Sequence, residues 1–154
     1  MSIPKMKKVV FPGSFDPLTN GHKNLILRSL NIFDVVVVAV GNNSKKTYRY
    51  PLEKRLKMTA LVFQSHPQVS VKILEGLTVD FCKKHQAQYL VRGLRNNTDF
   101  DFEAGIAEAN AMLAPSIETV FLKSDPKTAS ISSSLVREII QNKGDISAFV
   151  PAEI

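Results

Sequence analysis

The sequence has little that would suit a secreted or membrane-spanning protein. Its 154 residues include one cysteine, Cys82, so no disulfide can form within the chain. The longest uninterrupted apolar run covers residues 35–40, far short of the roughly 20 residues that a membrane-spanning helix needs. The start of the chain carries basic residues but no apolar stretch of the kind found in signal peptides. These absences predict a cytoplasmic protein with no membrane partner.

The sequence also lacks internal repeats, low-complexity tracts and linkers, so we expect one domain over residues 1–154. Cys82, His66 and His85 match no common spacing of metal ligands, which predicts no metal site formed by side chains. Lysine and arginine total 20 against 14 acidic residues, a net charge of +6. This balance suits anionic partners such as nucleotides, phosphorylated metabolites, nucleic acid or an acidic membrane, and does not choose among them.

Apolar patterns predict strands and helices in alternation. Continuous or alternating apolar runs predict strands at 9–11, 35–40, 69–74, 89–91 and 117–122. Apolar residues at helical spacing predict helices at 21–33, 51–65, 78–86, 99–113 and 132–143. Five strands separated by helices favour an α/β domain with a doubly wound, five-stranded parallel sheet.

Unusual polar residues follow four of the predicted strands. They occupy residues 12–22, 42–46, 92–95 and 130–134, and they include glycines, a histidine, lysines, arginines and serines. Because parallel strands end at the same edge of a sheet, these segments are expected to lie together, where ligands of open α/β sheets bind. Cations, backbone N–H groups freed by glycine and a helix N-terminus all suit a phosphate. The sequence therefore predicts a phosphate-binding edge.

Each feature also has a purely structural explanation. Gly13 and Pro17 could form a turn, His22 could simply lie near a helix start, and a lysine pair is commonly a solvated loop. Serines before an apolar helix are commonly N-caps, and Glu103 would by default be an exposed helical residue. Their convergence on one edge favours the phosphate interpretation.

The segment at 13–22, Gly-Ser-Phe-Asp-Pro-Leu-Thr-Asn-Gly-His, resembles the nucleotidylyltransferase superfamily, whose motif is His or Thr, any residue, Gly, His. Three further segments narrow the resemblance to the bacterial phosphopantetheine adenylyltransferases: Arg-Gly-Leu-Arg at 92–95, Asp-Phe-Asp-Phe-Glu at 99–103 and Ile-Ser-Ser-Ser at 131–134. The similarity extends from about residue 7 to residue 151 and implies a Rossmann-like nucleotidylyltransferase fold.

The resemblance implies that the chain transfers the adenylyl group of ATP to 4′-phosphopantetheine by direct in-line attack. The products would be dephospho-coenzyme A and pyrophosphate, within coenzyme A biosynthesis. It also implies Mg²⁺ held mainly by the ATP phosphates, a homohexamer, and binding of dephospho-coenzyme A or coenzyme A as product or inhibitor. No nucleic acid partner is implied.

Site residues are carried over by motif. The catalytic residues implied are His22 at the α-phosphate, Lys46 and Arg95. Within the lysine pair, the number of residues up to the segment Leu52-Glu53-Lys54-Arg55, counted without a gap, favours Lys46 over Lys45. Acceptor binding is implied for Ser14, Lys46, Thr78 and Arg92. ATP binding is implied for a longer set: Ser14, Phe15, His22, Gly93, Leu94, Arg95, Glu103, Thr128, Ala129, Ser130, Ile131, Ser132, Ser133 and Ser134.

The chain departs from the family pattern in three places. Thr128-Ala129-Ser130 stands where the family usually has an aromatic residue, which predicts a differently packed adenine side. Asn96-Asn97-Thr98 is more polar than the usual loop. The chain ends at Ile154, earlier than many relatives, so we expect the last helix of the family to be absent or trimmed.

Two other functions are alternatives. One is a small nucleotidylyltransferase with another acceptor, such as nicotinate mononucleotide or phosphocholine. Thr19, where many of those relatives carry histidine, favours phosphopantetheine. The second is a basic nucleic-acid-binding module, which would need aromatics placed for stacking. The phenylalanines mostly follow core periodicity, which disfavours it.

Overall fold

The computed structural model describes residues 5–154, so the first four residues of the predicted domain lie outside the description. Strands and helices alternate along the whole chain. In chain order they are β1 (Lys8–Gly13), α1 (Asn20–Ser29), β2 (Val35–Gly41), α2 (Leu52–Val62), β3 (Val69–Leu74), α3 (Thr78–Lys84), β4 (Tyr89–Leu94), α4 (Asn97–Leu113), β5 (Glu118–Lys123) and α5 (Ser133–Gln141). No helix within residues 5–154 is long and apolar enough to span a bilayer.

The five strands form one parallel sheet in the order β3-β2-β1-β4-β5. This confirms the predicted doubly wound α/β fold. Alternate residues of each strand face opposite sides, so the sheet separates two apolar clusters. Val36 and Val38 pack with α1 and α2 on one face, whereas Val37 and Ala39 pack with α3 on the other. Burial on both faces explains why β2 is an unbroken apolar run.

At the edge formed by the carboxyl ends of the strands, β1 and β4 separate and leave an opening. All six residues of β1 are in register with β2, but only Val9 and Val10 are in register with β4. Pro12, further along β1, has no N–H to offer a neighbouring strand. The strand order also reverses direction between β1 and β4, and open α/β sheets bind ligands at such a point.

Several predicted details were wrong. β4 continues through Arg92 to Leu94 because these residues stay in register with β5. In α2 the helical spacing of apolar residues 52, 56, 60 and 63 predicts that Ala60 faces inward, but Ala60 is exposed and Arg55 is fully buried instead. Phe102 of α4 is 70% exposed and is an exception to the core periodicity of most phenylalanines.

Candidate active site

The Thr19–His22 segment forms the first turn of α1. Thr19 is the N-cap, and its Oγ1 accepts from the backbone N–H of His22 over 3.3 Å. In return, the backbone N–H of Thr19 donates to Nδ1 of His22 over 3.0 Å. This is a capping box with histidine where Glu or Gln is usual. With Nδ1 accepting, the ring proton lies on Nε2, which is left available as a donor.

The His22 ring is neutral at neutral pH. Burial, and then the positive charges of Arg92 and Arg95, lower the pKa of His22 to about 4. The ring of Phe15 packs against it edge to face, with the centroids 5.1 Å apart. A histidine near its usual pKa could act either as a cation or as an N–H donor. The geometry favours an N–H donor held in one orientation.

The loop after β1 is bound to α5 through two of its carbonyl groups. Nη1 of Arg137 donates to the Asp16 carbonyl over 2.9 Å, and Oγ of Ser133 donates to the Pro17 carbonyl over 2.8 Å. Arg137 was missed by sequence reasoning. One signal could have found it, because Arg137 lies one helical turn after the serine run, on the same face.

The exposed loop after β2 is attached to the loop after β1. Nζ of Lys46 donates to Oγ of Ser14 over 3.0 Å. The buried carboxylate of Asp16 accepts from the backbone N–H groups of Arg49 and Tyr50, over 2.8 and 2.9 Å. The structure therefore brings Lys46, the member of the lysine pair favoured by spacing, to the predicted phosphate residue Ser14.

Arg92 crosses the opening between β1 and β4. Its Nε and Nη2 donate to the two carboxylate oxygens of Glu103 over 2.9 and 2.7 Å, and its Nη1 donates to the Pro12 carbonyl over 2.6 Å. Glu103 is buried, whereas a helical glutamate would by default be exposed. Its burial is possible because the bidentate pairing with Arg92 compensates its charge. Three of the five guanidinium N–H groups are used, which leaves two for a ligand.

Arg95 is paired in a similar but more exposed way. Its Nε donates to Oδ2 of Asp99 over 3.0 Å, and its backbone N–H donates to the same oxygen over 3.0 Å. This pairing holds the pKa of Asp99 below its usual value. Gly93, between the two arginines, is required by packing, because a Cβ there would collide with Leu25.

Ser132, Ser133 and Ser134, at the start of α5, each make a different hydrogen bond. Ser132 is the N-cap, its Oγ accepting from the backbone N–H of Leu135 over 3.1 Å. Ser133 bonds the loop after β1, and Oγ of Ser134 accepts from Nη2 of Arg137 over 3.0 Å. The expectation that serines cap this helix is met by Ser132.

Two cavities lie at this edge of the sheet. The α4 cavity, of about 480 Å³, is lined by Pro12, Gly13, Ser14, Gly41, Asn43, Leu74, Thr78, Leu90, Arg92, Glu103, Ile106, Ala107, Asn110 and Thr119. The His22 cavity, of about 310 Å³, is lined by Phe11, Pro12, Gly13, Ser14, Phe15, Thr19, Gly21, His22, Leu25, Lys46, Arg92, Gly93, Arg95, Asp99, Glu103, Ser124, Thr128, Ile131, Ser132, Ser133, Ser134 and Arg137.

The two cavities approach from opposite faces of the sheet and share a wall. Leu90 of the α4 cavity belongs to the apolar cluster on the α3 side, and Leu25 of the His22 cavity to the cluster on the α1 side. The shared wall consists of Pro12, Gly13, Ser14, Arg92 and Glu103. Two ligands entering from the two faces would therefore meet between Ser14 and Arg92.

Most predicted site residues line one of these cavities. Leu94, Ala129 and Ser130 lie between wall residues along the chain, and the roles of all the predicted site residues stay predictions. Within residues 5–154, no cluster of three or more His, Cys, Asp or Glu side chains could hold a metal ion. The carboxylates of the His22 cavity, Asp99 and Glu103, are both paired with arginines.

Residues 10–139 match the family described as cytidylyltransferase-like. The chain is 48% identical to a protein of Flavobacterium psychrophilum named phosphopantetheine adenylyltransferase, over 97% of this chain and 98% of that protein. A protein of Levilactobacillus brevis with the same name is 45% identical, over 97% of this chain and 92% of that protein. The chain belongs to the phosphopantetheine adenylyltransferase family.

Membership of the phosphopantetheine adenylyltransferase family makes the chain a nucleotidyltransferase enzyme and does not favour the nucleic-acid-binding alternative. Solved structures support the fold. A putative nicotinate-nucleotide adenylyltransferase from Vibrio parahaemolyticus superposes with a TM-score of 0.68 at 22% identity, covering 96% of each chain. A lipopolysaccharide core biosynthesis protein from Thermoplasma volcanium gives 0.60 at 21% identity, covering 79% of this chain and 99% of that one.

Proposed function

We propose that the chain transfers the adenylyl group of ATP to the phosphate of 4′-phosphopantetheine, releasing pyrophosphate and forming dephospho-coenzyme A. The observation that carries this proposal is the shared wall of the two cavities. A reaction that joins two phosphorylated molecules needs both phosphates at one place, held in line. Ser14 and Arg92 stand at the boundary through which ligands on opposite faces can meet.

The lining of the cavities supports an assignment of one reactant to each. The His22 cavity combines Arg95, Arg137 and the N-terminus of α5, which together suit a triphosphate. The α4 cavity is the larger and includes Leu74 and Ile106, which suit a long flexible arm with apolar segments. Thr78, predicted to line that arm, is in its wall.

The reaction proceeds by displacement at the α-phosphorus of ATP. An oxygen of the acceptor phosphate forms the new bond to that phosphorus, the bond to the oxygen bridging to the β-phosphate breaks, and pyrophosphate leaves with the electron pair. The acceptor phosphate is already an anion at neutral pH, so no general base is required. Catalysis then depends on positioning and on stabilising charge.

His22, Lys46 and Arg92 would each stabilise a different charge. Nε2–H of His22 donates to a non-bridging oxygen of the α-phosphate, where negative charge develops in the transition state. Lys46 and the two unused N–H groups of Arg92 bind the acceptor phosphate and reduce its repulsion with ATP. A neutral His22 can fill this role, because Nδ1 accepts from Thr19 and the ring proton is therefore on Nε2.

Magnesium would be held mainly by the ATP phosphates, which fits the pairing of Asp99 and Glu103 with arginines. When bound, the ion would neutralise phosphate charge and assist the departure of pyrophosphate. The chain's own part is to orient the triphosphate through Arg95 and the start of α5.

We expect the chain to be cytoplasmic and to form a homohexamer. The contacts between subunits of the hexamer would cover the apolar surface of α4. Phe102 and Met112 are 70% and 85% exposed, and Leu113 lies exposed on the same helix. A row of large apolar side chains on one helix is typical of an interface between subunits. Light scattering should give a hexamer for the wild-type chain and a smaller species for Met112→Glu. A monomeric wild type would refute this assembly.

Pyrophosphate release tests the function directly. With ATP, Mg²⁺ and 4′-phosphopantetheine, the purified protein should release pyrophosphate and form dephospho-coenzyme A. Nicotinate mononucleotide or phosphocholine in place of the acceptor should give no release above background. Turnover with either of those acceptors, and none with 4′-phosphopantetheine, would favour the alternative nucleotidylyltransferase.

A further inference from the structure

Arg55 of α2 is a buried cation that the reaction just described does not use. Its residue is fully buried, and its guanidinium stacks on the ring of Tyr48 with 3.8 Å between Cζ and the ring centroid. Within residues 5–154 it has no carboxylate at ion-pair distance, and its Nη2 has no hydrogen-bond partner. A buried charge without an anionic partner is costly, so its contacts call for a functional explanation.

The contacts of Arg55 are backbone carbonyls from three segments of the phosphate-binding edge. Nη1 donates to the carbonyls of Ser14 and Gly41 over 2.7 and 2.8 Å, and Nε donates to the carbonyl of Tyr50 over 3.0 Å. Gly41 and Tyr50 are the two ends of the loop that carries Lys46. A single guanidinium therefore ties both ends of that loop to Ser14, the residue that Lys46 contacts.

The bond to the Ser14 carbonyl also orients the next peptide group. In a planar trans peptide the carbonyl and the following N–H point in opposite directions. With the Ser14 carbonyl turned inward to Arg55, the N–H of Phe15 points away from Arg55. Phe15 has a φ of 48°, a left-handed conformation that is unfavourable for a bulky residue and must be held by its surroundings.

We propose that Arg55 is a positioning residue for the acceptor phosphate. It acts through Lys46 and Ser14, whose relative placement it sets, and it does not touch the substrate. Its uncompensated charge lies beneath the same edge and adds to the attraction for an anion. This inference rests on the proposed function, since it assumes that Lys46 and Ser14 bind the phosphate of 4′-phosphopantetheine.

The test compares ligand binding to Arg55→Met, Arg55→Lys and Val62→Ala by calorimetry, with 4′-phosphopantetheine and ATP titrated separately. Val62 is buried on the same helix two turns away, so Val62→Ala reports destabilisation alone. Arg55→Met should weaken acceptor binding about tenfold or more, as for loss of a charged contact, with a smaller effect on ATP. Arg55→Lys keeps the charge but not the planar guanidinium that donates to several carbonyls, so its loss of acceptor affinity should be only partly smaller than that of Arg55→Met.

A double-mutant cycle with Lys46→Met separates positioning from general stability. If Arg55 acts through Lys46, adding Arg55→Met to Lys46→Met should cost much less acceptor affinity than Arg55→Met costs in the wild type. Additive losses, full recovery by Arg55→Lys, or an effect no larger than that of Val62→Ala would overturn the inference. Should Arg55→Met not fold, the cycle is run with Arg55→Lys and judged the same way.

The outcome for the wild type distinguishes the two claims. A wild-type protein that binds ATP but not 4′-phosphopantetheine would refute the proposed function, and this inference with it. A wild type that binds both ligands, combined with an additive cycle, would refute the role of Arg55 alone.

Discussion

The backbone N–H of Thr19 donates to Nδ1 of His22, and this contact determines which ring nitrogen carries the proton. The T-x-G-H motif therefore caps the helix and, by the same contact, leaves Nε2–H of His22 available as a donor. The cap requires a hydroxyl and a reciprocating side chain three residues apart, and that spacing turns Nε2–H of His22 away from the cap. The spacing within the motif thus has a physical reason beyond family likeness.

His22 should make the fold more sensitive to acid. Its pKa is about 4 in the folded chain and near 6.5 when unfolded, so the unfolded state binds a proton first as pH falls from 6.5 to 4. Stability from this residue is therefore complete above pH 6.5 and is lost on acidification. In urea unfolding, the free energy of unfolding of the wild type should fall relative to that of His22→Gln as the pH is lowered from 6.5 to 4. A difference that stays constant over this range would contradict the low pKa.

Replacing His22 by alanine should reduce turnover far more than ATP affinity. We expect kcat to fall by about 10²–10³, as for loss of one donor to a developing oxyanion, with little change in the KM for ATP. Steady-state kinetics with both substrates varied would measure this. Equal losses in kcat and ATP affinity would show His22 to be a binding residue.

Lys46 and its neighbour offer a matched pair of substitutions. Lys46→Met should raise the KM for 4′-phosphopantetheine by roughly tenfold or more, because a charged contact contributes about 1.5–3 kcal/mol, while the KM for ATP changes less. Lys45→Met removes the same charge one residue away and should have little effect, since the bond to Ser14 is made by Lys46. The assignment fails if the two variants behave alike or if ATP is the substrate more affected.

Glu103→Gln should affect both stability and acceptor binding. The amide of glutamine has one oxygen in place of two, so Arg92 loses one of its two hydrogen bonds to this side chain and the negative charge opposite it. The free energy of unfolding should fall by about 1–3 kcal/mol. Asp101→Asn, at an exposed position of the same helix, is the control for loss of one negative charge. Thermal unfolding and the KM for the acceptor should both change in Glu103→Gln and stay near wild type in Asp101→Asn. Unchanged acceptor binding in Glu103→Gln would show that Arg92 does not need this partner.

The sheet and its ligand-binding edge could be predicted because they depend on local patterns. The bounds of β3 agree with the alternation at residues 69–74, and the polar segments after the strands do meet at one edge. Strand topology alone required that meeting. The family resemblance, confirmed by the relatives, rests on contiguous motifs in the same segments.

The remaining features depend on partners distant in sequence. Glu103 is buried because Arg92 comes to it from another element, and Arg55 is buried because the loops after β1 and β2 supply its three acceptors. The helical spacing of apolar residues predicts that both charged residues are exposed, since it contains no information on which residues of other elements pack against the helix. The exposure of Phe102 has the converse reason, because an apolar side chain at helical spacing need not pack against its own chain.

The separation of the two cavities by the sheet bears on how acceptor preference can diverge. Thr78, Ile106 and Asn110 line only the α4 cavity, whereas His22 and Arg137 line only the other. With the acceptor in the α4 cavity, as we propose, substitutions at Thr78, Ile106 or Asn110 would change which acceptor fits and leave the walls of the His22 cavity unchanged. One scaffold can in this way acquire new acceptors while its chemistry is inherited intact.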